Sequence, residues 1–366
     1  MTKVAVVHDD LTQRGGAERV VLSLTRLFPD APVFTTIYDS EATYPEFRDV
    51  DVRTTFLQHG PTGNPRALLP FYPAAIRSID LSGYDLVVSS SSRFAHGVRV
   101  PDGYHLTYCY SPPRYLYQAD GYFGPGGPVG HRTGKMLKPV LGMLRRWDQD
   151  AARRPDQYVA ISSVVAERIE RAYGRSAAVV HPPVDVERFT VAASEIPTVS
   201  EAPYYLVVSR FLPYKRIDLA VAACTARNTR LVVVGTGPTE AGLRSIAGPS
   251  VEFRSRVADD ELEGLLAGCT ATFQPGLEDF GLTPLEGNAS GRPCIAYGGG
   301  GALETVRDGE TGVLLSDQSV EALVAAMDRV ESMTWSEQRL RAHAETFREE
   351  RFHGELLTLL EARQVA

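Results

Sequence analysis

Two glutamates with seven residues between them, Glu278 and Glu286, bracket the tract Glu278-Asp279-Phe280-Gly281-Leu282-Thr283-Pro284-Leu285-Glu286. Thr283 reads as a helix N-cap, Pro284 as the first helical residue and Glu286 as the third, so the tract predicts a turn running directly into a helix. A helix start offers unpaired amides and partial positive charge, and Gly281 lets a ligand come close to the backbone, which suits a phosphate flanked by hydroxyl groups. One carboxylate then accepts hydrogen bonds from a sugar and the other from a ribose. Thr283 and Glu286 also have the spacing of a reciprocal capping box, which accounts for Glu286 without a ligand. Glu278 precedes the helix and has no such account.

Cations stand upstream. Arg210 follows a predicted strand, and Lys215 and Arg216 come just before a predicted helix from about Ile217. Each cation at a helix start opposes the dipole by about 0.3–1 kcal/mol, a cost that an anion such as a diphosphate between them removes. The other reading is that Asp218 compensates locally and the basic groups are solvated. Gly298-Gly299-Gly300-Gly301 lies between a strand and Ala302-Leu303-Glu304, where successive amides form an anion-binding nest or, equally, a flexible loop. Gly235-Thr236-Gly237-Pro238 resembles a dinucleotide fingerprint, but Glu240 stands where its third glycine belongs, so a nicotinamide oxidoreductase is not indicated. Asp49-Val50-Asp51 is expected on a strand and Asp148-Gln149-Asp150 on a helix, where positions i and i+2 diverge, and no metal is expected.

These residues need a scaffold. The chain has 366 residues, which fits two domains, and 43% hydrophobic with 23% charged residues is ordinary for a globular protein. A net charge of -7 argues against a general nucleic-acid binder. Cys109, Cys224, Cys269 and Cys294 are far apart, so neither zinc nor a disulfide framework is indicated and a reduced cytoplasm is the expected home. Residues 1–10 begin with one short apolar run that meets His8 and two aspartates, so they are expected to form a first strand and no signal peptide, and no apolar run reaches membrane-spanning length.

Short β-branched runs alternate with amphipathic helices. Strands are expected at residues 3–7, 33–38, 85–89, 105–109, 157–161 and 177–181, with a helix over 17–28. The pattern lapses in the polar stretch 192–203 and restarts with strands at 204–209, 231–235, 251–253, 271–274, 293–296 and 312–315, followed by an all-helical tail over 336–363. This is the pattern of two parallel sheets covered by helices on both faces, with ligands at the carboxyl ends of the strands.

Arg210 with Lys215, Glu278 with Glu286, the Phe280-Gly281-Leu282 turn, and Ala289-Ser290-Gly291 before Pro293 together resemble family four of the retaining nucleotide-sugar glycosyltransferases. The resemblance covers nearly the whole chain, from Gly15-Gly16-Ala17-Glu18-Arg19 to the region of Arg351-Phe352. It implies an α/β GT-B fold of two doubly wound Rossmann-like domains facing a central cleft. The amino-terminal, acceptor-side domain is expected over residues 1–190, joined by a carboxy-terminal helix at 350–366, and the nucleotide-sugar-binding domain over 200–349. Tyr108 to Leu116, and Trp147-Asp148 with Ala151-Ala152, are similar to the mannosyltransferases that assemble bacterial surface polysaccharides.

The resemblance implies that Arg210 and Lys215 neutralise the donor's diphosphate, that Glu286 meets the nucleotide ribose and that Glu278 lies near the transferred sugar. Amides around Phe280, Gly281, Leu282 and Thr283 would assist the leaving phosphate, with Gly15, Gly16, Tyr110, Arg114 and His96 as further donor or substrate contacts. Lysine and arginine need no metal for this, and no cofactor is expected beyond the co-substrate. Retention of configuration is implied by the family alone.

One departure stands out. The subgroup usually has histidine where this chain has Tyr110, and a phenol of pKa near 10 is a poorer proton acceptor. His8 and His96, each near the expected end of a strand, are candidates to replace it, although a structural role is open for both; Arg114 faces the donor, faces an anionic acceptor or pairs with Asp120. The basic segment His131 to Arg154, interleaved with Leu137, Val140, Leu141, Met143, Leu144 and Trp147, is either a helix for an anionic membrane surface or a core helix with a solvated face. The expectation is a cytoplasmic, metal-independent transferase, peripheral on the inner membrane face at most, that moves a hexose, mannose from GDP-mannose, to a glycan or lipid-linked saccharide. A catalytically silent subunit binding a nucleotide sugar or glycan is the alternative motivated by Tyr110. A glycoside hydrolase using Glu278 and Glu286 is disfavoured by the cations.

Overall fold

The computed structural model describes residues 2–60, 65–118, 131–195, 203–255 and 257–362. The chain divides into two compact units, the first running to Pro182 and regaining the chain from His353, the second running from Pro183 to Phe352. Residues 196–202 of the polar stretch lie outside the described residues.

In the first unit, β1 (Val4–His8), β2 (Val33–Thr35), β3 (Val52–Thr54), β4 (Leu86–Ser91), β5 (Tyr104–Cys109), β6 (Gln157–Ala160) and β7 (Ala177–Val179) form one sheet in the order 3-2-1-4-5-6-7. Every pair is parallel. In the second unit, β8 (Tyr205–Val208), β9 (Leu231–Val234), β10 (Val251–Arg254), β11 (Ala271–Gln274), β12 (Cys294–Tyr297) and β13 (Gly312–Leu315) form a parallel sheet in the order 10-9-8-11-12-13. Both orders reverse direction at one point, between β1 and β4 in the first sheet and between β8 and β11 in the second. A parallel sheet leaves a crevice at the carboxyl ends of the strands where its order reverses.

The central strands, such as β1, β4, β8, β9 and β11, are buried along nearly their whole length, whereas the edge strands β3, β7 and β10 are partly exposed. The core of the second unit includes Tyr205 stacked on Phe273 at 4.8 Å between ring centroids, against Leu219, Ala223, Leu323 and Met327. That of the first has Tyr72 stacked on Phe94 at 5.1 Å, with Leu144 and Trp147 packed nearby.

Two expectations need correction. Val52–Thr54 is an additional edge strand, while Asp49 ends a short 3-10 helix, Pro45–Asp49, so Asp49-Val50-Asp51 is not a strand. The tail is two helices, Glu337–Glu345 and Glu349–Ala362, because the chain turns at Thr346 and Phe347, whose amides bond back to His343 and Ala344. The segment from His131 to Ala151 is a helix, and its apolar stripe faces inward, with Leu144 fully buried and Trp147 packed on Phe94.

Candidate active site

The second sheet's reversal point is built by the residues after β8 and β11. Beyond β8 the chain passes through Ser209 and Arg210 into a single 3-10 turn, Pro213–Lys215. The two glycines of the false dinucleotide fingerprint shape this loop from beneath. A Cβ at Gly235 (φ +140) would overlap the Ser209 carbonyl, and one at Gly237 would lie 2.5 Å from the Phe211 carbonyl oxygen. They serve close backbone packing under Arg210. Arg210 itself is exposed and has no ion-pair partner among the described residues. Arg216 takes the left-handed conformation (φ 49) and pairs with Asp218 at 3.1 Å, so local compensation holds for Arg216. It does not hold for Lys215, whose ammonium pairs with the Glu278 carboxylate, the two side chains only 18% and 13% exposed.

Glu278 stands on the loop after β11 and is fixed from both sides. Gly276 presses on the Lys215 backbone, where a Cβ would lie 2.6 Å from the Lys215 Cα. On the other side the four glycines lie against Glu278 to Phe280: Glu278 bridges Gly300, and the Gly301 amide donates to the Glu278 carbonyl at 3.0 Å. A Cβ on Gly300 or Gly301 would overlap the backbone of Glu278 or Phe280. The tetraglycine is therefore a close-packed brace, and the flexible-loop reading is set aside.

The helix after this loop is Leu282–Ala289, two residues earlier than the capping-box reading requires. Gly281 (φ 94, ψ 92) is the N-cap and no side chain caps the end. Thr283 is then a helical residue whose hydroxyl points to the Val208 carbonyl at 3.5 Å, so the Thr283–Glu286 capping box does not form. Glu286 is half-buried in the second turn. Phe280 is buried, its ring 5.9 Å from that of Phe347, which leaves its backbone to serve the site. The structure thus brings together Arg210, Lys215, Glu278 and the uncapped start of the helix carrying Thr283 and Glu286.

The first sheet's reversal point holds a second polar group. Gly15 is the extended N-cap of the helix Gly16–Leu27. Glu18 in its first turn is 2% exposed and stands 3.8 Å from His8 Nε2. His8 Nδ1 lies 3.0 Å from both the carbonyl and the hydroxyl of Ser90, and the Ser90 hydroxyl is 2.8 Å from the Tyr110 hydroxyl. Tyr110 donates in turn to the Ala17 carbonyl at 3.1 Å. Burial alone lowers the His8 pKa, but Glu18, with Asp9 and Asp10 adding to it, raises it above 6.5. With Nδ1 against Ser90 and Nε2 facing Glu18, both ring nitrogens of His8 are engaged within the fold, which argues against His8 as the replacement base. Nor does Tyr110, whose pKa burial pushes well above 10.0.

His96 is enclosed too: it is 3% exposed, with Nε2 3.3 Å from Asp148 and Nδ1 3.3 Å from Ser91. It is a core histidine, and Asp148, which also accepts from Tyr117 at 2.7 Å, points inward and away from metal chemistry. No group of three potential metal ligands occurs among the described residues. Arg114 begins a short half-buried helix, Arg114–Tyr117, and Asp120 lies outside the described residues.

Sequence reasoning missed Asp9 and Glu18. Asp9 is 1% exposed and accepts from the amides of Ser92, Arg93, Phe94 and Ala95 at 2.6–2.9 Å, which ties β1 to the turn after β4. Glu18 stands within the Gly15-Gly16-Ala17-Glu18-Arg19 tract, but its pairing with His8 needs the fold. A pH dependence follows from it. A raised His8 pKa stabilises the fold fully below its unfolded value near 6.5, and that stability is lost as pH rises through the folded value. As pH rises above about 6.5, the melting temperature of the wild type is expected to fall more steeply than that of His8→Gln; parallel curves would contradict the pairing.

Residues 14–188 match the family model Glycosyltransferase Family 4, and residues 192–347 match Glycosyl transferases group 1. The chain belongs to glycosyltransferase family four and has the GT-B fold. Among its relatives, a GDP-mannose-dependent alpha-(1-6)-phosphatidylinositol monomannoside mannosyltransferase of Mycobacterium tuberculosis is 31% identical over 224 residues, covering 54% of this chain and 57% of that protein. The match thus spans little more than half of that relative's length. A D-inositol 3-phosphate glycosyltransferase of Streptomyces bingchenggensis is 26% identical over 318 residues, covering 73% of this chain and 70% of that protein. Among solved structures, HepE of Anabaena in complex with UDP-glucose superimposes with a TM-score of 0.71 at 17% identity, over 99% of this chain and all of that one, a likeness of fold.

Proposed function

We propose that this protein is a metal-independent, retaining hexosyltransferase that moves mannose from GDP-mannose to a glycan or lipid-linked saccharide. The carrying observation is the Lys215–Glu278 pair beside the uncapped start of Leu282–Ala289, with Arg210 exposed on the same strand ends and without an ion-pair partner among the described residues. Breaking the anomeric bond leaves its electron pair on the diphosphate and positive charge on the sugar. Fixed cations and helix amides stabilise the first, and the carboxylate of Glu278 the second. Arginine and lysine supply the countercharge that a metal would otherwise bring. With His8, His96 and Tyr110 all engaged, the acceptor's proton passes to an oxygen of the departing phosphate. The name of the mycobacterial relative supports mannose and guanine. The UDP-glucose complex of HepE keeps a uracil donor as the competing choice.

The acceptor is proposed to be met at an anionic membrane surface, supported by exposed Arg145, Arg146 and Met143 on the helix His131–Ala151. No helix among the described residues is long and apolar enough to cross a membrane. A thermal-shift panel of nucleoside diphosphates and their sugars tests the donor. A ligand at a hundredfold its dissociation constant stabilises the fold by about 2.7 kcal/mol, and GDP and GDP-mannose are expected to exceed UDP and UDP-glucose. No shift with any of them would contradict the proposal. Tyr110 favours one rival, a silent subunit that binds donor without turning it over. The proposal expects slow donor hydrolysis by the wild type and none by Glu278→Ala, whereas a silent subunit hydrolyses nothing in either form.

A further inference from the structure

Gln274 ends β11 directly beneath the start of the helix Leu282–Ala289. It is 7% exposed, and its side-chain amide nitrogen is buried with no hydrogen-bond partner among the described residues. The neighbouring polar groups on this strand edge are bonded: Val208 accepts from Thr283 at 3.5 Å and Pro275 from Gln318 at 2.8 Å. The carboxamide lies flat against Gly281, where a Cβ would fall 2.5 Å from Nε2 and 2.8 Å from Cδ. The N-cap of this helix is thus shaped against the glutamine, because a side chain at Gly281 would be excluded by it and by the φ of 94° as well.

A buried amide without a partner lowers the stability of the state that contains it. A leucine or methionine would fill the same place without that loss, and such a group at a ligand-binding turn is characteristic of stability given up for function. We infer that Gln274 is a positioning residue for the anion-binding turn, setting Gly281 by contact and donating its free N–H to the turn once an anion occupies the helix end. The inference rests on the proposed donor site and goes beyond it, since it assigns a buried residue that touches no substrate.

The test compares wild type, Gln274→Met and Gln274→Glu for GDP and UDP affinity and for melting temperature without ligand. Methionine keeps the volume and removes the donor. It is expected to melt at the same or a higher temperature and to bind the preferred diphosphate about 5- to 10-fold more weakly, the loss of one hydrogen bond. Glutamate, which adds negative charge under the anion, is expected to bind more weakly still. Wild-type affinity in Gln274→Met, or affinity losses that track lost stability in both variants, would overturn the inference and leave the donor site standing. A wild type that binds no nucleoside diphosphate would overturn the donor site and this inference with it.

Discussion

Lys215→Ala is expected to lower sugar transfer by about 10²- to 10³-fold, the effect of removing one preorganised charge from a developing oxyanion, as the proposed mechanism assigns it. Two losses coincide. The diphosphate loses a countercharge held in place by the Pro213–Lys215 turn, and Glu278, 13% exposed, loses the ammonium that neutralises it. Glu278→Gln is expected to separate the two, because it leaves Lys215 free for the phosphate and removes only the carboxylate proposed to lie beside the sugar. In that variant nucleoside diphosphate affinity is expected to hold or rise while turnover falls. The check is kcat and donor affinity for both variants; Lys215→Ala within threefold of wild type would remove Lys215 from the chemistry.

Gly301→Ala is expected to damage the site strongly. Its backbone is helical (φ -66), so torsional strain plays no part. The Cβ would instead overlap the Phe280 Cα and approach its carbonyl oxygen to 2.5 Å, and that backbone has to give way. Overpacking of this kind costs about 1–3 kcal/mol. The displaced segment carries Glu278, and a shift of about 1 Å in a positioned group costs about 10²-fold in rate. Gly142→Ala is the control: it sits within the helix His131–Ala151 with nothing within 4 Å of its Cβ, and alanine there is expected to stabilise by about 1 kcal/mol. Urea unfolding and turnover measured on both variants check the pair. Wild-type activity in Gly301→Ala would mean that the tetraglycine does not brace the Glu278 loop.

Most of the architecture was legible because strands buried on both faces appear as short continuous runs of Val, Ile and Leu. Val52–Thr54 escaped because a three-residue, largely exposed edge strand carries neither a continuous run nor a buried alternation. Glu278 could be singled out because it precedes a helix it cannot cap. The neighbouring capping box was misleading, since Thr283 and Glu286 have the right spacing while the positive φ of Gly281 starts the helix earlier. The tetraglycine was ambiguous for a physical reason: glycine permits both mobility and close approach, and only tertiary contacts with Glu278 and Phe280 decide between them. His8, Glu18, Ser90 and Tyr110 come from four separate stretches of chain, so no local pattern could join them. Gln274 reads in one dimension as an ordinary strand end.

The central claim is that this protein grips its donor by the diphosphate, through Arg210, Lys215 and the start of Leu282–Ala289. Its most direct test is calorimetric titration of wild type and an Arg210→Ala/Lys215→Ala double variant with guanosine, GMP and GDP. Wild-type affinity is expected to climb steeply from nucleoside to diphosphate, and the double variant to bind all three with similar weak affinity. If guanosine binds the wild type as tightly as GDP does, or if the double variant keeps the full preference for diphosphate, the grip lies elsewhere.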